Sequence, residues 1–280
     1  MRIFVAGASG VIGRRAVRLL LAHGHQVVGL TRRPDLVREL GAQAVVADVH
    51  DAGALAEAVR AAEPDVVMHQ LTDLSGGDRT ANARIREVGT RNLVDAALGA
   101  GVRRIIAQSI SWAYEPGPVP ATESVPLDLG AHPDRLTTVA GVAALEAAVQ
   151  EVPEWVVLRY GMLYGPETWY TAGGLMARHA QAGDLPATAD VTSFLHVDDA
   201  ATAAIAALEW PSGAVNICDD EPAAGHDWTP AFCQSVDAPQ PSRVDNERAG
   251  WARGADSHHA REQLQWAPQW TSWRDGFFKG

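Results

Sequence analysis

The sequence predicts an α/β fold, a doubly wound parallel sheet covered by helices on both faces, with a smaller C-terminal lobe. Three observations lead there. Short Val- and Ile-rich runs alternate with longer amphipathic stretches through the first two thirds of the 280 residues. A glycine-rich turn stands where the first run gives way to the first helical pattern. After Tyr160 the rhythm breaks, with Pro, Gly and Trp becoming frequent and the elements shortening.

The elements follow in order. Residues 3–6, 26–30, 44–47, 66–69, 104–107 and 156–159 read as strands. Apolar runs of this length with β-branched residues suit strands buried on both faces. Residues 11–23, 54–62, 84–100 and 139–149 carry apolar side chains at helical spacing,. Strand–helix–strand repetition with right-handed crossovers gives a doubly wound sheet. A helix at 197–209 and a strand at 214–217 are expected to return to it. The dinucleotide-binding domain is therefore expected over 1–164 with 191–220, and a substrate-binding lobe over 165–190 and 221–280. Seven of the nine tryptophans lie beyond Tyr160.

Composition narrows the class. A net charge of −11 opposes a nucleic-acid partner, which needs a basic face,. No apolar run approaches the roughly 18 residues that span a bilayer, and no leader segment is expected ahead of the first strand. Two cysteines, Cys218 and Cys233, leave no disulfide framework and no metal pair,. The expectation is a cytoplasmic protein without a metal, acting on a small molecule. A homodimer is compatible with this reading.

Gly7-Ala8-Ser9-Gly10-Val11-Ile12-Gly13 links the first strand to the first helix. Glycine there lets the backbone approach a pyrophosphate and lets helix and strand pack closely, while the helix N-terminus offers free amides. Gly7, Ser9, Gly10, Val11, Ile12 and Gly13 are thus candidate cofactor residues in a Rossmann-type domain. The second strand runs into Thr31-Arg32-Arg33-Pro34, with two arginines and no acid at its end. A guanidinium fork suits a ribose 2′-phosphate, so Arg32 and Arg33 point to NADP rather than NAD.

The spacing of these glycines resembles the short-chain dehydrogenase/reductase superfamily, in particular its extended epimerase/dehydratase branch. Further motifs carry the resemblance: Val66-Val67-Met68-His69, Gly89-Thr90-Arg91-Asn92-Leu93, the run from Leu158 to Pro166, Phe194-Leu195-His196-Val197-Asp198-Asp199, and the tail from Ala260 to Pro268. It implies that Asp48 and Val49 meet the adenine. It implies that Gln70, Leu71 and Gln108 line the ribose and nicotinamide, and that Gly161, Met162 and Leu163 meet the carboxamide. His69, His196, Asp198 and Asp199 read instead as structural residues, the two aspartates capping the helix they begin.

The resemblance also exposes a departure. The family's working pair is Tyr-x-x-x-Lys on the helix after the fifth strand, the Tyr acting as acid and base and the Lys lowering its pKa. Here those positions hold Thr138 and Val142. The family's serine position falls at Ile110, between Ser109 and Ser111, and its helix asparagine is Arg86. Tyr164, Tyr114 and Tyr160 follow strands at the edge where ligands bind, so they are candidate acid/base groups. Arg86 is a candidate cation beside them, and Ser109 and Ser111 are candidate hydroxyls. Three functions stay open: an NADP-dependent oxidoreductase or epimerase/dehydratase-like enzyme with non-standard acid/base residues, an NADP(H)-binding sensor, or a non-redox enzyme in an inherited pocket. Trp112, Trp169 and Trp251 hint at an aromatic or apolar substrate.

Overall fold

The computed structural model describes residues 1–74 and 79–279. The elements run β1 (Arg2–Ala6), α1 (Val11–Ala22), β2 (Gln26–Leu30), α2 (Pro34–Glu39), β3 (Gln43–Val45), α3 (Ala52–Ala62), β4 (Val66–His69), α4 (Arg79–Arg84), α5 (Thr90–Gly99), β5 (Arg104–Ile110), α6 (Pro133–Val149) and β6 (Glu154–Tyr160). They continue with β7 (Met162–Tyr164), α7 (Leu175–Ala182), β8 (Val191–Thr192), β9 (Phe194–His196), α8 (Val197–Ala206), β10 (Gly213–Ile217), β11 (Ala223–Ala224), α9 (Gly225–Ser235), α10 (His258–Glu262) and α11 (Trp273–Lys279). A π-helical turn, Ile85–Gly89, joins α4 to α5.

Seven strands form one sheet in the order β10-β6-β5-β4-β1-β2-β3. β1 pairs in parallel with β2 and with β4, β2 with β3, and β4 with β5. The chain winds outward from β1 in one direction and then in the other, which is the doubly wound arrangement. β4 is buried at all four positions, as a strand covered on both faces requires.

The chain divides into two compact units. The first comprises Met1–Ser109, Leu129–Leu158 and Ala201–Ala214, and the second Ile110–Asp128, Arg159–Ala200 and Val215–Gly280. The sequence reading drew one domain over 1–164 with 191–220. The compact units instead place 110–128, 159–164, 191–200 and 215–220 with the lobe residues.

In the first unit, Phe4, Val28, Val67, Ile105 and Val157 from five strands pack with Leu55, Val59, Leu93, Leu145 and Val149 from α3, α5 and α6. Asp51 caps α3 by accepting from the Ala54 amide at 3.0 Å,. α6 begins at Pro133, six residues before the apolar periodicity, with His132 as its cap and proline in the first turn where no amide partner is needed,. In the second unit, Tyr164, Tyr170, Phe194, Trp228, Phe232, Trp273 and Phe277 form a largely aromatic core. Their rings meet mostly edge to face, at centroid separations such as 5.1 Å for Tyr170 and Phe232,.

Candidate functional site

The turn after β1 is built for close approach. Gly7 has φ +90°, and a Cβ there would lie 2.5 Å from the Gln70 carbonyl oxygen. A Cβ on Gly13 would lie 2.1 Å from the Gly7 oxygen, so α1 sits against the turn with no room for a side chain. Gly10 is the helix cap; α1 has no side-chain cap and no acid in its first turn. Its amides and positive dipole end suit a pyrophosphate.

The loop after β2 is tied to this turn. The Arg33 guanidinium donates to the Ser9 carbonyl at 2.6 Å. The Thr31 hydroxyl donates to the Ser9 hydroxyl at 2.6 Å and accepts from the Arg33 amide. Arg32 is exposed. A hollow of about 260 Å³ beside Ser9 is lined by Arg14 and Arg18 of α1 with Leu36, Glu39 and Leu40. Sequence reasoning missed these two arginines, although their spacing of four residues put them on one helix face.

Gln70, next to the turn, is 4% exposed, and neither atom of its carboxamide has a hydrogen-bond partner among the described residues. An orphaned buried amide calls for a ligand. Together with the uncapped amides and the glycine cradle, it fits a dinucleotide on the residues present. Gln108 donates to the Leu71 carbonyl at 3.0 Å. Asp48 is exposed and accepts from the His50 amide, while the capping of α3 falls to Asp51. Val49 is buried, with its carbonyl held by Asn92. In the second unit the amides of Gly161 and Met162 are spent on the carbonyls of Ile217 and Ser193, and Leu163 pairs with Leu195 in a two-stranded sheet.

Around the departed pair, Thr138 and Val142 on α6 are both buried. A Cβ on Gly141 would lie 3.3 Å from the Ala83 Cα, so α6 approaches α4 closely. Ser109 donates to Glu146 Oε1 at 2.7 Å. Arg86, on the π-helical turn, is 7% exposed; burial pulls its guanidinium down to about 10, with the Glu146 charge acting against the shift. It remains a cation at neutral pH. π-helical turns recur at functional sites. The contacts of Glu146 and Thr90 could not be read from the sequence, because they join distant segments.

His69 is fully buried between two partners. Its Nδ1 accepts from the Leu71 amide at 3.2 Å, which assigns the proton to Nε2, facing the Thr90 hydroxyl at 2.8 Å. Burial first, and the Arg86 charge second, hold it down to about 4. An unfolded histidine titrates near 6.5. Its contribution to stability is therefore complete above pH 6.5 and is lost as pH falls from 6.5 towards 4, at up to about 1.4 kcal/mol per unit. Denaturant unfolding of the parent and His69→Gln across that window checks this. The difference between the two should change with pH below 6.5 and stay flat above; no change in that window contradicts the assignment.

The three tyrosines that the sequence ranked as proton donors all lie in the second unit, and each is buried. Tyr164 sits in the aromatic core against Phe194, His196 and Phe277. Burial, reinforced by Asp219 and Asp199, raises its hydroxyl far above the ordinary tyrosine value. Tyr160 donates to the Ala200 carbonyl at 3.1 Å. Tyr114 donates to Asn216 Oδ1 at 2.5 Å and accepts from Arg159 at 2.9 Å. Its cation is thus Arg159, whereas the titratable neighbours of Arg86 are Glu146 and His69. Ser111 pairs with the buried Cys218 thiol, which burial pushes up to about 12. These positions favour structural roles. Asp199, expected to cap α8, instead receives the amides of Gln269 and Trp270, both at 2.9 Å, and so pins the C-terminal segment. Among the described residues no helix is long and apolar enough to cross a membrane.

A parallel sheet with a glycine cradle at its first turn and paired arginines after its second strand defines a nicotinamide-dinucleotide enzyme of the Rossmann class. The chain belongs to the NAD-dependent epimerase/dehydratase family, whose profile matches residues 3–218. A 3-diazoavenalumate denitrifying reductase from a Streptomyces species is 44% identical over 301 aligned positions, covering 99% of each chain. A UDP-glucose 4-epimerase from Mycolicibacterium smegmatis is 29% identical over 303 positions, covering 96% of this chain and 94% of that one. Among solved structures, the Bordetella bronchiseptica enzyme WbmG, in complex with NAD and UDP, superposes with a TM-score of 0.79. It is 22% identical, with coverage of 99% of this chain and 92% of that one. The Thermus thermophilus UDP-glucose 4-epimerase with NAD gives 0.76 at 24% identity, covering 99% and 97%. At such identities the likeness to the structures is one of fold.

Proposed function

We propose that this enzyme is an NADP-dependent reductase of an aromatic diazo compound, delivering hydride to a carbon that loses dinitrogen. One observation carries the reading: the helix position that holds the family's phenolic acid and its lysine holds buried Thr138 and Val142 instead. Reduction of a ketone needs a proton at oxygen, and this pair cannot supply one. When bound, a reduced nicotinamide supplies hydride. On an arenediazonium carbon, arrival of that hydride forms the C–H bond and the C–N electron pair leaves with dinitrogen, so charge balances without a proton. The 44% identical relative is a 3-diazoavenalumate denitrifying reductase, which supports the same chemistry.

The residues then have tasks other than proton transfer. The turn from Gly7 to Gly13 and the Arg32-Arg33 loop would hold the dinucleotide. Neutral His69 holds the end of β4 to Thr90, and the Ser109–Glu146 bond ties β5 to α6. The test is turnover of an arenediazonium salt with NADPH, read as dinitrogen release and as product mass in heavy water. The new C–H bond should carry protium from the cofactor. Deuterium in that bond, or equal turnover of simple ketones, refutes the reading. Thr138→Ala and Val142→Ala should each leave turnover within about tenfold, roughly 1.4 kcal/mol in barrier. A loss of several orders of magnitude in a folded variant would restore these positions to the chemistry.

A further inference from the structure

We propose that Arg86 anchors a carboxylate on the substrate, which makes the substrate class an aromatic acid; this rests on the reductase reading for the identity of the site. Four features of the first unit carry the proposal. Arg86 is 7% exposed. Among the described residues no hydrogen bond or ion pair engages its guanidinium, and Glu146 reaches it only through its charge. Glu146 also accepts the Ser109 hydroxyl, so its carboxylate is shared. His69, the other titratable neighbour, is neutral and offers no anion.

A guanidinium this enclosed, with no hydrogen bond to its donor fork among the described residues, has its donors left for a planar anion that reaches it,. The fork matches a carboxylate with two parallel hydrogen bonds. The location agrees. The π-helical turn that carries Arg86 follows β4, and Ser109 lies towards the carboxyl end of β5. Ligands of open α/β sheets bind at that edge. Tethering an aromatic acid by its carboxylate leaves the ring carbon to be placed by the rest of the pocket, so binding energy positions the reacting atom without proton chemistry.

The test uses the intact protein saturated with NADP⁺ and two probes, trans-cinnamate and trans-cinnamamide, titrated by calorimetry. Cinnamate should bind at least about tenfold tighter than the amide, a difference of roughly 1.4 kcal/mol. Arg86→Gln should erase that ratio while leaving amide and NADP⁺ affinities unchanged. Arg86→Lys should keep part of it, because a point charge lacks the fork. Equal affinities in the parent, or a preference that survives Arg86→Gln, overturn the proposal. So does UDP binding that displaces cinnamate and disappears in Arg86→Gln, since the anion would then be a phosphate. Should Arg86→Gln fail to fold, the parent ratio and its reduction in Arg86→Lys decide the matter. No turnover is involved, so failure of the diazonium assay leaves this measurement standing.

Discussion

Gly10→Val should abolish dinucleotide binding while leaving the fold largely intact. Gly10 has φ −73° and ψ 174°, which any residue adopts, and a Cβ would lie 3.2 Å from the Gly7 oxygen, a contact relieved by a few tenths of an ångström. The added methyl groups would stand over the first amides of α1, where a pyrophosphate must approach the backbone. Affinity for either nicotinamide dinucleotide should fall by more than about a hundredfold, roughly 2.8 kcal/mol. Gly13→Ala is the contrasting change. Its Cβ would lie 2.1 Å from the Gly7 oxygen and 2.9 Å from the Gly7 carbonyl carbon, both backbone atoms with nowhere to go. That variant should lose stability, by about 1–3 kcal/mol or more. Calorimetric titration and thermal unfolding of the two variants separate the roles. Normal binding by Gly10→Val would reduce the turn to a packing feature. Unchanged melting of Gly13→Ala would show that α1 can move off the turn.

What the sequence revealed follows the range of the interactions. The glycine turn was legible because its requirements are local: a positive φ at Gly7 and contacts among residues 7–13. The strands at 26–30 and 66–69 were legible because burial on both faces leaves continuous apolar runs, and both match β2 and β4. α2 was missed because six residues opening on Pro34 carry too little periodicity. The helix expected over 84–100 is broken by the π-helical turn at Ile85–Gly89, whose extra residue leaves the apolar pattern almost unchanged. The third strand was expected to start one residue late and end two residues late; Val46 is 65% exposed, so its apolar character was no sign of a strand core.

The candidate site was legible only in part, for the same reason. Absence of a phenol and an amine from α6 is a property of residue type and can be read directly. The contacts that replace them cannot. Ser109 meets Glu146 across 37 residues, and Tyr114 meets Asn216 across 102. A tyrosine at a strand end looks available for chemistry until its hydroxyl is seen to be spent or its ring enclosed. Tyr160 and Tyr164 show these two outcomes four residues apart.

Cofactor selectivity should divide unequally between the two arginines after β2. Arg33 already donates to the Ser9 carbonyl and fixes the loop to the phosphate turn. Its loss should therefore weaken NAD and NADP alike, because the cradle itself is loosened. Arg38 is held by Asp35 at 2.8 Å and adds little. Arg32 is exposed, so its whole fork is open to a 2′-phosphate,. Arg32→Ala should cost NADP about 1.5–3 kcal/mol, the contribution of a charge-assisted hydrogen bond, and leave NAD unchanged. Because the group is exposed, the selectivity should shrink as salt is raised. Titrating both cofactors into the parent, Arg32→Ala and Arg33→Ala at two salt concentrations tests the division. A parent that binds NAD as tightly as NADP removes the 2′-phosphate assignment altogether. A loss of NADP affinity confined to Arg33→Ala would move the phosphate towards the hollow that Arg14 and Arg18 line beside Ser9.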